Sequence, residues 1–347
     1  MGDSTEIGIL KLLWTRRQDG RWGVHGLKGI TLKRKPEHDF DFFAFDSDLE
    51  MLTSTPPTNL GDMFASFGST DFLIKQSIVP VVAWIQGAPA LRCVGTAFVV
   101  SCSGYVVTAS HVVLDPQDSG YGKVTARNGN IEAVKGVALG VLIPTNPARL
   151  PDGFEFWPFQ EAWYWGEWKK SPLIHEADRL ASLIDIAVCK LPERADGSAY
   201  QPLNLSLAPF VLGETACAIG YALMEDIPIQ YVDGQPRIDK FPWELYVSTG
   251  EVTDVFPLNH SEPMVPTPGP CFEFRARIPG KMSGSPIFGA QGAVIRGVVS
   301  RSSSGEKHAY GCMMGPAMTL PFPNGQSLES LRQGGKDGIA IVNGQGL

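Results

Sequence analysis

Short apolar runs, rich in Val, Ile, Phe and Ala and broken by turn residues, recur along this chain. Runs of that length and composition predict strands rather than helices. The run CVGTAFVV (93–100) reads as a buried strand, SCSG (101–104) as a turn, and YVVTASHVV (105–113) as the returning strand, with His111 where it stops. IAVCKL (186–191) is a second such strand, opened by Asp185. PIFGAQGAVIRGVVS (286–300) reads as a strand hairpin, preceded by the small-residue stretch Met282-Ser283-Gly284-Ser285.

Each of these polar residues has a plain structural explanation by itself. A histidine beside apolar residues is commonly packed, an aspartate at a strand start commonly caps it, and small residues around a serine commonly form a loop. Taken in chain order they supply a base, an orienting carboxylate and a hydroxyl. A serine hydroxyl is a poor nucleophile until a histidine accepts its proton, and that histidine needs a carboxylate to fix its tautomer.

TASH (108–111), DIAV (185–188) and MSGSP (282–286) resemble the histidine, aspartate and serine motifs of the trypsin-like (chymotrypsin-fold) serine peptidases, most closely the non-secreted bacterial members. The resemblance runs from about Ser77 to Phe322 and extends to PLNLSLAPFVLGETACAIGYA (202–222) and VSTGEV (247–252). It implies an all-β fold of two six-stranded antiparallel Greek-key barrels with an N-terminal extension. It also implies peptide hydrolysis through an acyl-enzyme, with His111 as base and then acid, Asp185 as its orienting partner and Ser283 as nucleophile. Ser285 is the rival nucleophile, but the family's serine precedes a glycine, as Ser283 does. The backbone amides of Ser283 and Lys281 would form the oxyanion hole.

Three positions depart from the family pattern. Lys281 stands where glycine is usual, which makes the shape of the oxyanion hole dependent on substrate or a partner. Met282 replaces the aspartate that pairs with a freshly cut N-terminus in secreted relatives, so activation by that route is not expected. Val112 replaces a cysteine that those relatives pair. By the same resemblance the primary substrate pocket would take Arg277, Ser300, Arg301 and His308, a basic set suited to an acidic side chain.

Residues 1–76 read as an N-terminal extension, 77–195 as the first barrel, 196–322 as the second and 323–347 as a polar tail with at most a short helix at SLESLRQ. The stretch FEFWPFQEAWYWGEW (154–168) reads as an inserted loop, its aromatics either packed beneath it or exposed as a contact surface. That loop and the N-terminal extension are the two places where a regulatory protein partner would dock. No metal or organic cofactor is expected.

Composition adds bounds. A chain of 347 residues buries an ample core without staples, and its six cysteines show no compact spacing for a disulfide framework or zinc site. The first residues are acidic with only a short apolar run, unlike a secretory signal, and Glu6 stands where a myristoylation motif needs Ser or Thr. No run reaches the ~18 apolar residues of a membrane span, so a cytoplasmic protein is expected. A net charge of −7 disfavours non-specific nucleic-acid binding. The main expectation is a serine endopeptidase, possible in a partner-gated form. The alternative is a catalytically silent pseudopeptidase whose barrels bind protein.

Overall fold

The computed structural model describes, side chains included and apart from short gaps, residues 76–114, 137–144, 154–164, 184–231, 245–302 and 308–330, with the backbone of further strands. The basic and acidic-aromatic stretches of residues 1–75, and the end of the tail, lie outside what is described with side chains. A five-residue helix, Leu328–Arg332, falls within SLESLRQ.

Two antiparallel sheets account for nearly all the described elements. The first contains β1 (Ile78–Ile85), β2 (Ala90–Val99), β3 (Tyr105–Thr108), β4 (Val137–Pro144), β5 (Phe154–Pro158), β6 (Glu161–Lys169) and β7 (Arg179–Lys190). Its spatial order is β5-β4-β1-β2-β3-β7-β6. The end strands β5 and β6 are neighbours in sequence, so the connection Phe159-Gln160 brings the sheet's two edges together. Phe159 N–H donates to Leu139 O at 2.8 Å and Gln160 N–H to Lys190 O at 2.9 Å. The connection thereby extends the β5–β4 and β6–β7 ladders by one bond each.

The second sheet contains β8 (Thr215–Gly220), β9 (Tyr246–Phe256), β10 (Cys271–Phe274), β11 (Pro286–Gly289), β12 (Val294–Ser302) and β13 (Ala309–Met313). It closes completely: β9-β8-β11-β12-β13-β10 is a continuous ladder and β10 pairs back onto β9. Strands Ser4–Ile7, Ile30–Arg34 and Phe42–Phe45 continue this sheet outward from β9. The fold is all-β, a chymotrypsin-like pair of barrels.

The packing explains why the strands read as unbroken apolar runs. Alternate residues point to opposite faces of a strand. Here both faces are buried. Val79, Val81, Ala97, Val99, Val106, Ala187 and Cys189 form the interior of the first sheet, while Ile78, Val82, Phe98, Val107, Ile186 and Val188 face the second. The second sheet mirrors this, with Ala216, Ala218, Phe272, Ile287 and Val299 inside. Cys217, Ile219, Phe288, Ile295 and Val298 join the shared core between the sheets.

The stretch 154–168 is therefore not an inserted loop. It is β5 and β6, whose Phe154, Trp163 and Tyr164 are buried in the main cores. Large aromatics suit a strand pair that must cover a wide gap between sheet edges.

Candidate active site

His111 is carried by α1 (Ser110–Leu114), which follows directly on β3. Val112 and Val113 are buried in the core of the first sheet, and this pins the short helix so that the His111 side chain stays 19% exposed at its rim. Asp185 is not at a strand start, as the apolar pattern suggests, but inside β7. It lies within an irregular stretch of β7, where the ladder to β6 passes from the pair Tyr164/Ala187 to the pair Gly166/Ser182 and leaves residues 183–186 out of register. Such a bulge re-aims side chains beside it.

Asp185 is 4% exposed, and four donors surround its carboxylate. His111 Nδ1 lies 2.8 Å from Oδ2, and the His111 backbone N–H donates to Oδ1 at 3.0 Å. The Ser110 hydroxyl donates to Oδ1 at 2.6 Å, and the Ser300 hydroxyl to Oδ2. Burial by itself raises the Asp185 carboxyl pKa, but the charge on His111 and the hydrogen bonds from His111, Ser110 and Ser300 outweigh it. The carboxyl is held well below the usual carboxylate range. Asp185 remains ionised, so it can accept a hydrogen borne by His111 Nδ1.

Ser283 comes from the second sheet, in the turns between β10 and β11. Its carbonyl accepts the Thr96 N–H from the first sheet at 2.8 Å, so the site sits on the seam between the two. Its hydroxyl donates to Ser300 O at 3.2 Å. Gly284 has φ +86°, and a Cβ there would meet Thr96 O at 2.1 Å and Thr108 Oγ1 at 2.2 Å, so only glycine fits. Ser285 is fully buried and its hydroxyl has no partner among the described residues. Met282 is fully buried in the interior of the second sheet.

Lys281 adopts φ +78°, the left-handed region. It is the third residue of the turn that Met282 N–H closes onto Pro279 O at 3.4 Å, and a positive φ at that place is the type II requirement. Among the described residues, the backbone N–H groups of Lys281 and Ser283 have no acceptor.

The four residues expected around a substrate pocket, Arg277, Ser300, Arg301 and His308, stand in different surroundings. Ser300 is fully buried beneath Asp185, with Thr267 Oγ1 donating to its hydroxyl at 3.0 Å. Arg301 is exposed. Arg277 is half-buried and its carbonyl accepts the Ser248 hydroxyl at 2.7 Å. His308 Nδ1 lies 2.8 Å from Glu273 Oε1. Burial raises the Glu273 carboxyl pKa, but hydrogen bonds from Thr253, Tyr310 and His308 more than offset this and lower it. Ser302, which the sequence reading passed over, donates to Ile278 O at 2.9 Å and ties the end of β12 to the segment before Ser283. Ser110 and Thr267 were passed over too. The hydroxyl beside the histidine in TASH was the only signal for the first, and nothing local marks the second.

The family model for the trypsin-like peptidase domain matches residues 95–295. Among solved structures, the chain is similar to Deg5 at 14% identity, covering 75% of this chain and 92% of that one, with a TM-score of 0.37. It is similar to the MamO protease domain from Magnetospirillum magneticum at 16% identity, covering 70% and 94%, with a TM-score of 0.38. It is also similar to the active form of the Rv3671c protease from M. tuberculosis at 16% identity, covering 76% and 84%, with a TM-score of 0.35. No curated protein matches. Among the described residues, no helix is long and apolar enough to cross a membrane.

Proposed function

Because this chain belongs to the trypsin-like peptidase family, we propose that it is a serine endopeptidase in which Ser283, His111 and Asp185 carry the chemistry. The observation that carries this reading is the buried, four-donor Asp185 carboxylate at 2.8 Å from His111 Nδ1. A structural ion pair has no need of a partly exposed imidazole with its second nitrogen unspent.

The steps follow from that arrangement. His111 Nε2 takes the Ser283 proton as Oγ attacks the scissile carbonyl, and Asp185 stabilises the imidazolium without taking the proton. The developing oxyanion is met by the N–H groups of Lys281 and Ser283; one such donor is worth roughly 10²–10³ in kcat. His111 then protonates the departing amine, and water repeats the sequence on the ester. The substrate's own N–H, before the scissile bond, finds its acceptor at Ser300 O. That exchange frees the Ser283 hydroxyl to turn towards His111.

The test is labelling with a serine-directed fluorophosphonate, read by intact mass, together with hydrolysis of a peptide library. One adduct, absent from Ser283→Ala, is the expected result. No adduct in the intact protein would favour the silent, protein-binding alternative.

A further inference from the structure

Thr267 lies on the segment that joins β9 to β10, and it is buried. Its hydroxyl donates to Ser300 Oγ at 3.0 Å. Ser300, fully buried on β12, donates in turn to Asp185 Oδ2, the oxygen that His111 Nδ1 faces at 2.8 Å. The direction of this chain follows from counting hydrogens. An ionised carboxylate only accepts, so Ser300 spends its single hydrogen there, and the bond between the two hydroxyls must use the hydrogen of Thr267. The Cys312 thiol also borders Ser300 and Asp185, but S–H is a weak donor.

Thr267 is itself held from the other side. Its carbonyl lies 2.9 Å from His260 Nε2, and because a carbonyl only accepts, the ring hydrogen between them sits on Nε2. The Cys271 thiol donates to the same carbonyl at 3.5 Å. The His260 N–H closes a turn onto Pro257 O at 3.3 Å. The Thr267 hydroxyl is thus presented from an anchored backbone.

Asp185 would draw the Ser300 hydrogen unaided, since a charged acceptor outcompetes a neutral one. What Thr267 adds is a second bond on the same oxygen. Two bonds hold Ser300 Oγ against the carboxylate, and a hydroxyl that accepts a hydrogen bond becomes a stronger donor.

We propose that Thr267 is a positioning residue for the triad: by donating to Ser300 Oγ it keeps the Ser300 hydroxyl on Asp185 Oδ2 and so steadies the carboxylate that orients His111. This rests on the reading of Ser283, His111 and Asp185 as the catalytic residues.

The experiment is a double-mutant cycle in the full chain with Thr267→Val, Ser300→Ala and the two combined, alongside Thr267→Ser, each checked by thermal melting. Thr267→Val fills the same space without the hydroxyl. Its kcat should fall about three- to tenfold, the range of one net hydrogen bond, while KM changes less than about twofold. Thr267→Ser should keep kcat within about twofold of the parent, because its hydroxyl can make the same bond. In the Ser300→Ala background the valine should lower kcat less than about twofold further, since the hydroxyl it acts through is gone. A residue that merely packs would cost the same in both backgrounds and would gain nothing from serine. Should Thr267→Val fail to fold, Thr267→Ala is measured in its place under the same expectations. Parent-like kcat without the hydroxyl, an equal loss in both backgrounds, or a loss in Thr267→Ser as deep as in Thr267→Val overturns the proposal and leaves the peptidase reading standing. An intact parent protein that neither hydrolyses peptide nor takes the fluorophosphonate overturns both.

Discussion

Ser283 donates its hydroxyl hydrogen to the carbonyl oxygen of Ser300, at 3.2 Å. Ser300 in turn donates its own hydroxyl to Asp185, so one buried residue touches both ends of the proposed relay. In the proposed reaction the Ser283 hydroxyl leaves this acceptor for His111, and side-chain rotations of that kind take picoseconds to nanoseconds. Substrate binding competes for the Ser300 carbonyl and so favours that turn.

Ser283→Ala should therefore abolish peptide hydrolysis, by on the order of 10⁴–10⁶ in kcat. Ser285→Ala should keep most activity and leave stability unchanged or slightly higher. It removes a fully buried hydroxyl with no described partner, whose desolvation costs on the order of 1–3 kcal/mol. Steady-state kinetics and a melting curve of the two variants decide it; a dead Ser285→Ala enzyme would move the nucleophile by two residues.

Specificity should favour small residues before the scissile bond. A substrate residue anchored at Ser300 O and the Lys281 and Ser283 amides sends its side chain between β12 and the segment 278–282. The Ser302 hydroxyl, bonded to Ile278 O at 2.9 Å, bridges those two segments. Cleavage after Ala, Ser or Val should exceed cleavage after Phe, Lys or Glu. Ser302→Gly should raise cleavage after large residues about tenfold, roughly 1.4 kcal/mol in transition-state binding. A library profile led by Asp or Glu would instead restore a role for Arg277 or Arg301.

The acid limb of stability should belong partly to Asp185. Its folded carboxyl titrates below the unfolded value of ~3.9. The stability it contributes is fully present above about pH 4 and is lost as pH falls from there towards the folded pKa. Melting temperature measured from about pH 6 down to about pH 2 should fall less steeply in Asp185→Asn than in the parent. Parallel curves would show that the carboxylate is not coupled to folding.

Activity should appear without an N-terminal cut. Met282 lies in the apolar interior of the second sheet, beside Ile278, Phe274 and Ile287. It offers no carboxylate to a new amine, and Met282→Asp would bury an unpaired charge and lower the melting temperature rather than create a switch. Mass spectrometry of the active protein should find the N-terminus intact, apart from loss of Met1.

Runs such as CVGTAFVV were legible in the sequence because both faces of the strand are largely buried there, so no alternation is needed to recognise them. The strand around Asp185 was legible only in its second half. Its first half, Arg179–Leu183, carries Leu180, Ala181 and Leu183 without clean alternation, and it pairs with β6. FEFWPFQEAWYWGEW was misread because aromatic and acidic residues mix there, and only the meeting of two sheet edges explains them. Histidine, aspartate and serine announced themselves through their neighbours. The partners that fix their geometry did not: Thr96 to Lys281 spans 185 residues and Ser300 to Asp185 spans 115, and no local pattern encodes such distances.

The seam between the sheets also sets a sequence in time. A ribosome makes Thr96, His111 and Asp185 well before Ser283. A growing chain can thus fold its base and carboxylate while the attacking group does not yet exist. When the serine loop does emerge, it meets Thr96 N–H and His111 only once the second sheet has formed and docked on the first. A chain stalled or truncated before that moment lacks the proposed nucleophile.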